Sequence, residues 1–258
     1  MEKALEDWRS KECQGRIARI KVDQKASHSH LSNLKLSDSL VSFIVKARLQ
    51  LSECNSLLHT YYPAAYPRSC NRCGFPWDTI SHVLNNCRAS KGAIKARHNR
   101  MLKIITTAVS DIHGDTDQTA ILKDQLVKPC YFDHTQALPA FEGVLHTRPD
   151  LCVINHSERS CLLIEVAVPF DPFLNDCYQN KFDKYLPLCQ RIQDMGYSCK
   201  IIVLIVGSLG NVHPRFVSGL SLSGLPNVRA KSIARYCSIS AMIGSKIIWK
   251  QRCKAVLP

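Results

Sequence analysis

Between Cys161 and Val168 every side chain is apolar except Glu165. Such a run reads as a buried strand, and an ionised carboxylate inside it is expensive unless it is paired or metal-bound. Asp171-Pro172 follows at once, with Asp171 as N-cap and Pro172 in the first turn of a helix that reaches about Met195. Gly196 stops that helix, and Lys200 to Val206 forms another apolar strand. A shorter strand, Leu151 to Ile154, precedes them. The pattern predicts an α+β fold whose mixed sheet is flanked by helices.

The spacing also predicts a register. His156-Ser157-Glu158-Arg159 reads as a hairpin loop, so Asn155 pairs with Ser160 and, counting back, Asp150 stands opposite Glu165. Opposed residues share a face, with Cβ atoms roughly 5 Å apart. Two like charges there repel unless a divalent cation bridges them. Two oxygen ligands on an open edge suit Mg2+ or Mn2+, with waters left for a substrate phosphate.

Upstream, residues 1–60 read as a helical linker region. Ser37 precedes Leu40, Val41, Ile44, Ala47 and Leu51 at helical spacing. A proline-rich stretch from Tyr61 to Pro67 opens a second region, 61–113. Its core is Cys70-x2-Cys73-x8-His82-x4-Cys87, three thiolates and one imidazole, the donor set of tetrahedral zinc. Gly74 suits the tight knuckle turn. The segment is too small for a core of its own, so metal binding is expected to supply its folding energy. Phe75 and Trp77 lie in the knuckle loop, where such rings either stack single-stranded bases or pack the small core of the module. A helix from Ser90 follows, with Ile94, Met101, Ile105 and Ile112 on one face and the basic residues Lys95, Arg97, Arg100 and Lys103 assigned to phosphate contact. His113 to Gln118 reads as a linker before the third region, 114–258.

Lys and Arg number 34 against 21 Asp and Glu, a net charge of +13. An excess of that size points to a polyanionic partner, nucleic acid first. The 13 cysteines, an odd number without an apolar leader at the N-terminus, argue against a disulfide framework and for reduced core thiols such as Cys152, Cys161, Cys177, Cys189 and Cys199. No apolar run is long enough for a bilayer, so no membrane partner is expected.

Pro149-Asp150, 14 residues and then Glu165 in an apolar strand resemble the PD-(D/E)xK nuclease core. With the Cys-Cys-His-Cys knuckle, Arg97-His98-Asn99, Arg148-Pro149-Asp150 and Lys11-Glu12-Cys13-Gln14-Gly15-Arg16, the chain resembles the C-terminal part of R-two-type, site-specific non-LTR retrotransposon polyproteins. The resemblance implies a restriction-like endonuclease that nicks target DNA in the nucleus so that a reverse transcriptase primes on the released 3′ end. It adds element RNA and a separate reverse transcriptase as partners, since no Tyr/Phe-x-Asp-Asp motif is present. It also implies the Val166 carbonyl as a third ligand of the catalytic cation. The usual strand lysine is replaced by Ala167, and Tyr178 to Tyr185 matches the helix that carries a displaced lysine in the family. On a wheel of about 100° per residue, Lys181 falls within the stripe of Leu174, Tyr178, Tyr185, Cys189 and Ile192, and Lys184 at its edge. Lys181 is therefore expected as the catalytic lysine, with Lys184 on the DNA backbone or in solvent. The rival is a non-catalytic nucleic-acid-binding protein that keeps the nuclease fold as a scaffold.

Overall fold

A computed structural model describes residues 2–12, 14–32, 36–114, 118–132, 141 and 143–254. Cys13 and residues 115–117 of the expected linker lie outside them. The helices in chain order are α1 (Glu2–Ser10), α2 (Gln24–Ser27), α3 (Ser29–Ser32), α4 (Asp38–Arg48), α5 (Asn55–Tyr61), α6 (Lys91–His113), α7 (Leu174–Asp194), α8 (Phe216–Leu222) and α9 (Asn227–Lys254). The strands are β1 (Thr119–Lys123), β2 (Leu151–Asn155), β3 (Ser160–Ala167) and β4 (Ser198–Ile205). Among the described residues no helix is long and apolar enough to cross a membrane.

The fold is α+β, with one four-stranded mixed sheet in the order β1-β2-β3-β4. The first two pairings are antiparallel, and β3–β4 is parallel across the α7 crossover. The hairpin register is as expected, with Asn155 opposite Ser160 and Leu151 opposite Ile164. Asn155 sets the turn: its Oδ1 accepts from Ser157 Oγ at 2.8 Å and from the Glu158 amide at 3.0 Å. Arg159 closes it with φ +45°.

Side chains alternate between the two sheet faces. Leu151, Val153, Ile164, Val166, Ile202 and Leu204 pack against Met101, Ile105 and Val109 of α6, Phe216 and Leu220 of α8, and Ala230, Ala234 and Cys237 of α9. On the other face Cys152, Ile154, Cys161 and Leu163 meet Tyr185, Leu188, Cys189 and Ile192 of α7. Helix α6, grouped with the knuckle on sequence, is thus also a wall of the sheet's core. A third cluster joins α4 (Leu40, Phe43, Ile44), the end of α9 (Met242, Ile248) and Ile80, Val83 and Leu84.

Asp171 does not cap α7. A 3-10 turn, Asp171–Phe173, comes first, and the fully buried carboxylate turns inward to accept the Leu209 amide at 2.7 Å and the Asn211 amide at 3.0 Å. Burial pushes its pKa up, against the pull of Arg48. Gly207 has to be glycine here, since a Cβ would stand 2.4 Å from that carboxylate.

Candidate active site and metal cluster

The β2–β3 hairpin brings the two acids together at its open end. Asp150 sits just before β2, and Glu165 on β3 faces α7 with its side chain only 5% exposed. The Asp150 amide lies 3.3 Å from Glu165 Oε2, and Asp150 Oδ2 accepts the Val166 amide at 2.8 Å. Helix α7 covers this face and supplies the lysines. Lys181 Nζ is 2.5 Å from Glu165 Oε1. Burial alone would lower its pKa, but Glu165 more than offsets this and holds the ammonium above its usual range. Lys184, expected on the DNA backbone or in solvent, is about as exposed as Lys181 and also turns toward Glu165. Its Nζ approaches the same oxygen at 3.8 Å and donates to the Tyr185 hydroxyl at 3.0 Å. That hydroxyl donates in turn to the Arg148 carbonyl at 2.7 Å, fixing the chain as it runs into Asp150.

Sequence reading did not assign a role to His98 at this centre. From α6 its Nε2 reaches the Val166 carbonyl at 3.1 Å and Asp150 Oδ2 at 3.5 Å. The hydrogen bond to Asp150 raises its pKa to about 9, with burial opposing. Helical spacing carried the signal, because His98 lies four residues after Ile94 on the inward side of α6.

The same spacing corrects Arg97. Arg97, Met101 and Ile105 are each four residues apart, and Arg97 is 2% exposed. It donates to Ser245 Oγ at 2.8 Å and to the Val168 carbonyl at 3.3 Å, and burial lowers its pKa to about 10. An arginine so enclosed cannot reach a phosphate. Lys95, Arg100 and Lys103 are exposed.

The Cys/His cluster assembles around a short π-helical turn, His82–Asn86. The donor atoms of Cys70, Cys73, His82 and Cys87 all lie within 4.8 Å of one another, so the group can hold a metal ion. Cys70 and Cys87 Sγ are 4.0 Å apart, and Cys73 Sγ is 3.3 Å from His82 Nε2. Burial pushes the Cys70 thiol up to about 12, and a cation at the cluster's centre would draw it back toward the thiolate. Gly74 takes φ +73° in the knuckle loop, as its position suggested.

The knuckle, too small for a core of its own as its length suggested, leans on the rest of the chain as well as on any metal. Val83 and Leu84 are buried in the third cluster, and buried Asp78 accepts the Asn55 amide at 2.8 Å and Arg252 Nη2 at 2.5 Å. Asn85 Nδ2 donates to the Val168 carbonyl at 2.8 Å, which ties the turn to the chain just beyond β3. The Phe75 ring stacks on His82 with centroids 4.6 Å apart, and Arg68 lies over the Trp77 ring. Both aromatics remain about half exposed.

No family model matches the chain, and no curated protein does.

Proposed function

We propose that this protein is a divalent-cation-dependent DNA endonuclease with a restriction-endonuclease-like core. In this reading it nicks target DNA in the nucleus for retrotransposon integration by target-primed reverse transcription, with element RNA and a separate reverse transcriptase as partners. The observation that carries the reading is the constellation of Asp150, Glu165 and Lys181: two carboxylates joined through the Asp150 amide, and an ammonium 2.5 Å from the second.

Asp150, Glu165 and the Val166 carbonyl would hold Mg2+ or Mn2+. Bound there, the cation would polarise the scissile phosphate and acidify the attacking water. Lys181, steered by Glu165, orients that water or stabilises charge developing on the phosphate oxygens. Lys184 adds a second positive charge on the same side. The Cys70, Cys73, His82 and Cys87 cluster holds structural zinc. Phe75 and Trp77 offer exposed faces to bases, and Lys95, Arg100 and Lys103 offer charge to the backbone.

Supercoiled plasmid incubated with the protein and Mg2+ or Mn2+ tests the reading. Conversion to the nicked form by wild type and its loss in Asp150→Ala support it. Equal nicking by both preparations would point to a contaminant. The exposed aromatics of the knuckle favour the rival, a binding protein without catalysis. Salt-sensitive oligonucleotide binding with no nicking under either cation would select it.

A further inference from the structure

Helix α6 places His98 beside Asp150, where Nε2 shares a proton with the Val166 carbonyl that a bound cation would displace. His98 Nε2 is 3.1 Å from the Val166 carbonyl oxygen and 3.5 Å from Asp150 Oδ2. In an octahedral shell with bonds of about 2.1 Å, adjacent ligands stand about 3 Å apart. Donor atoms from α6, β3 and the residue leading into β2 thus already have the spacing of neighbours in one coordination shell. The Cys/His cluster shows comparable spacing, 3.3 Å between Cys73 Sγ and His82 Nε2.

Two further features fit a ligand. A metal-bound histidine as a rule donates its other ring N–H to an oxygen, and His98 Nδ1 lies 3.3 Å from Asn99 Oδ1. The helical turn that carries His98 is also anchored. Its neighbour Arg97 is buried and bonded to Ser245 Oγ and the Val168 carbonyl, which fixes this turn of α6 against the end of β3.

We propose that His98 Nε2 ligates the catalytic cation together with Asp150 Oδ2 and the Val166 carbonyl, and that this nitrogen biases the centre toward Mn2+ over Mg2+. Imidazole suits first-row transition ions, whereas Mg2+ takes oxygen ligands. The inference rests on the nuclease reading of Asp150 and Glu165.

The test uses the full chain with its Cys/His cluster preloaded with zinc, so that Mn2+ reports only on the other centre. Mn2+ binding is followed by electron paramagnetic resonance, and spin-echo modulation reads coupling to a directly bound 14N. Wild type is expected to bind one Mn2+, lost in Asp150→Ala, with a 14N coupling. His98→Ala and His98→Gln, checked for native circular dichroism, are expected to lose the coupling and to bind Mn2+ about tenfold more weakly or worse. Their Mg2+ affinity, measured by competition, should change much less. Asp150-dependent Mn2+ without a nitrogen coupling in wild type would overturn the inference and leave the nuclease reading standing. A coupling that survives in both His98 variants would overturn it as well. Absence of any Asp150-dependent Mn2+ site would overturn the nuclease reading itself, and the inference with it.

Discussion

The Cys/His cluster takes all four donors from the stretch between Cys70 and Cys87, whereas the carboxylate centre gathers His98, Asp150, Glu165 and Lys181 from α6, the hairpin and α7. The first has soft donors, and burial pushes the Cys70 thiol up, toward its protonated form, where no cation opposes it. The second is built on carboxylate oxygens whose charges the metal-free chain already answers, through Lys181, protonated His98 and the Val166 amide. The contrast separates two uses of a metal. One would complete a local fold, and the other would be added to a fold that is already complete. The two centres are nevertheless mechanically joined, because Asn85 of the knuckle and Arg97 of α6 share the Val168 carbonyl.

The sharpest break of this comparison is Glu165→Ala. Nicking should fall by about a thousandfold, because both cation support and the anchor of Lys181 go. Zinc content should stay at one equivalent by elemental analysis. Parallel loss of zinc would mean that the two centres are one folding unit. Removal of the acid also leaves Lys181 half-buried without its partner, so a lower Tm is expected rather than relief of repulsion.

The next effect separates the lysines. In single-turnover cleavage at saturating enzyme, Lys181→Ala should slow the reaction by about a hundredfold. Lys184→Ala, whose ammonium is 3.8 Å from Glu165 and shared with Tyr185, should slow it by about tenfold or less. The opposite ranking would show that the more distant lysine does the chemistry.

Cys73→Ser addresses the other centre. Zinc should drop below about half an equivalent, with faster amide exchange confined to the loop around Cys70 and Cys73. Val83 and Leu84 should stay docked in their cluster, so global unfolding on zinc loss would contradict that packing. On α6, changing Lys95, Arg100 and Lys103 together to Ala should lower the log–log salt slope of DNA binding by about 2–3 and leave stability alone. Arg97→Ala should instead cost about 2–4 kcal/mol in a denaturant titration, through an emptied buried site.

One effect lies outside both centres. Burial, aided by Arg48 and Arg215 respectively, lowers the pKa of His30 and His213 to about 4. The unfolded chain takes up these protons at about 6.5. Their contribution to stability is therefore complete above about pH 6.5 and is lost as pH falls toward about 4. Thermal melts in a Cys73→Ser background, where zinc release no longer contributes, should show this slope. His213→Asn should flatten it, and superimposable profiles would refute the assignment.

Much of this architecture was legible in sequence because particular residues left few alternatives. Asn155 and Ser160 flank a loop of the right length, so the register that brings Asp150 beside Glu165 could be counted. The knuckle ligands are close in sequence and announce themselves by spacing. Strand β1 went unread because Thr119–Lys123 is a short, half-buried edge. Arg97 was misread because its charge outweighed its position on the stripe. Asp171 looked like a cap because the partners that claim its carboxylate, Leu209 and Asn211, are nearly forty residues away.

Helix α9 is one unbroken rod of 28 residues, about 42 Å long. Its first half, through Ala230, Ala234 and Cys237, is packed on the sheet. Its second half carries Met242 and Ile248 in the cluster shared with the knuckle, and Arg252 grips Asp78 beyond them. Such a rod acts as a tie beam. A load on the loop that carries the Cys/His cluster passes along one continuous helix into the core of the sheet, so the two cannot shift independently without bending α9 or breaking the Arg252–Asp78 contact.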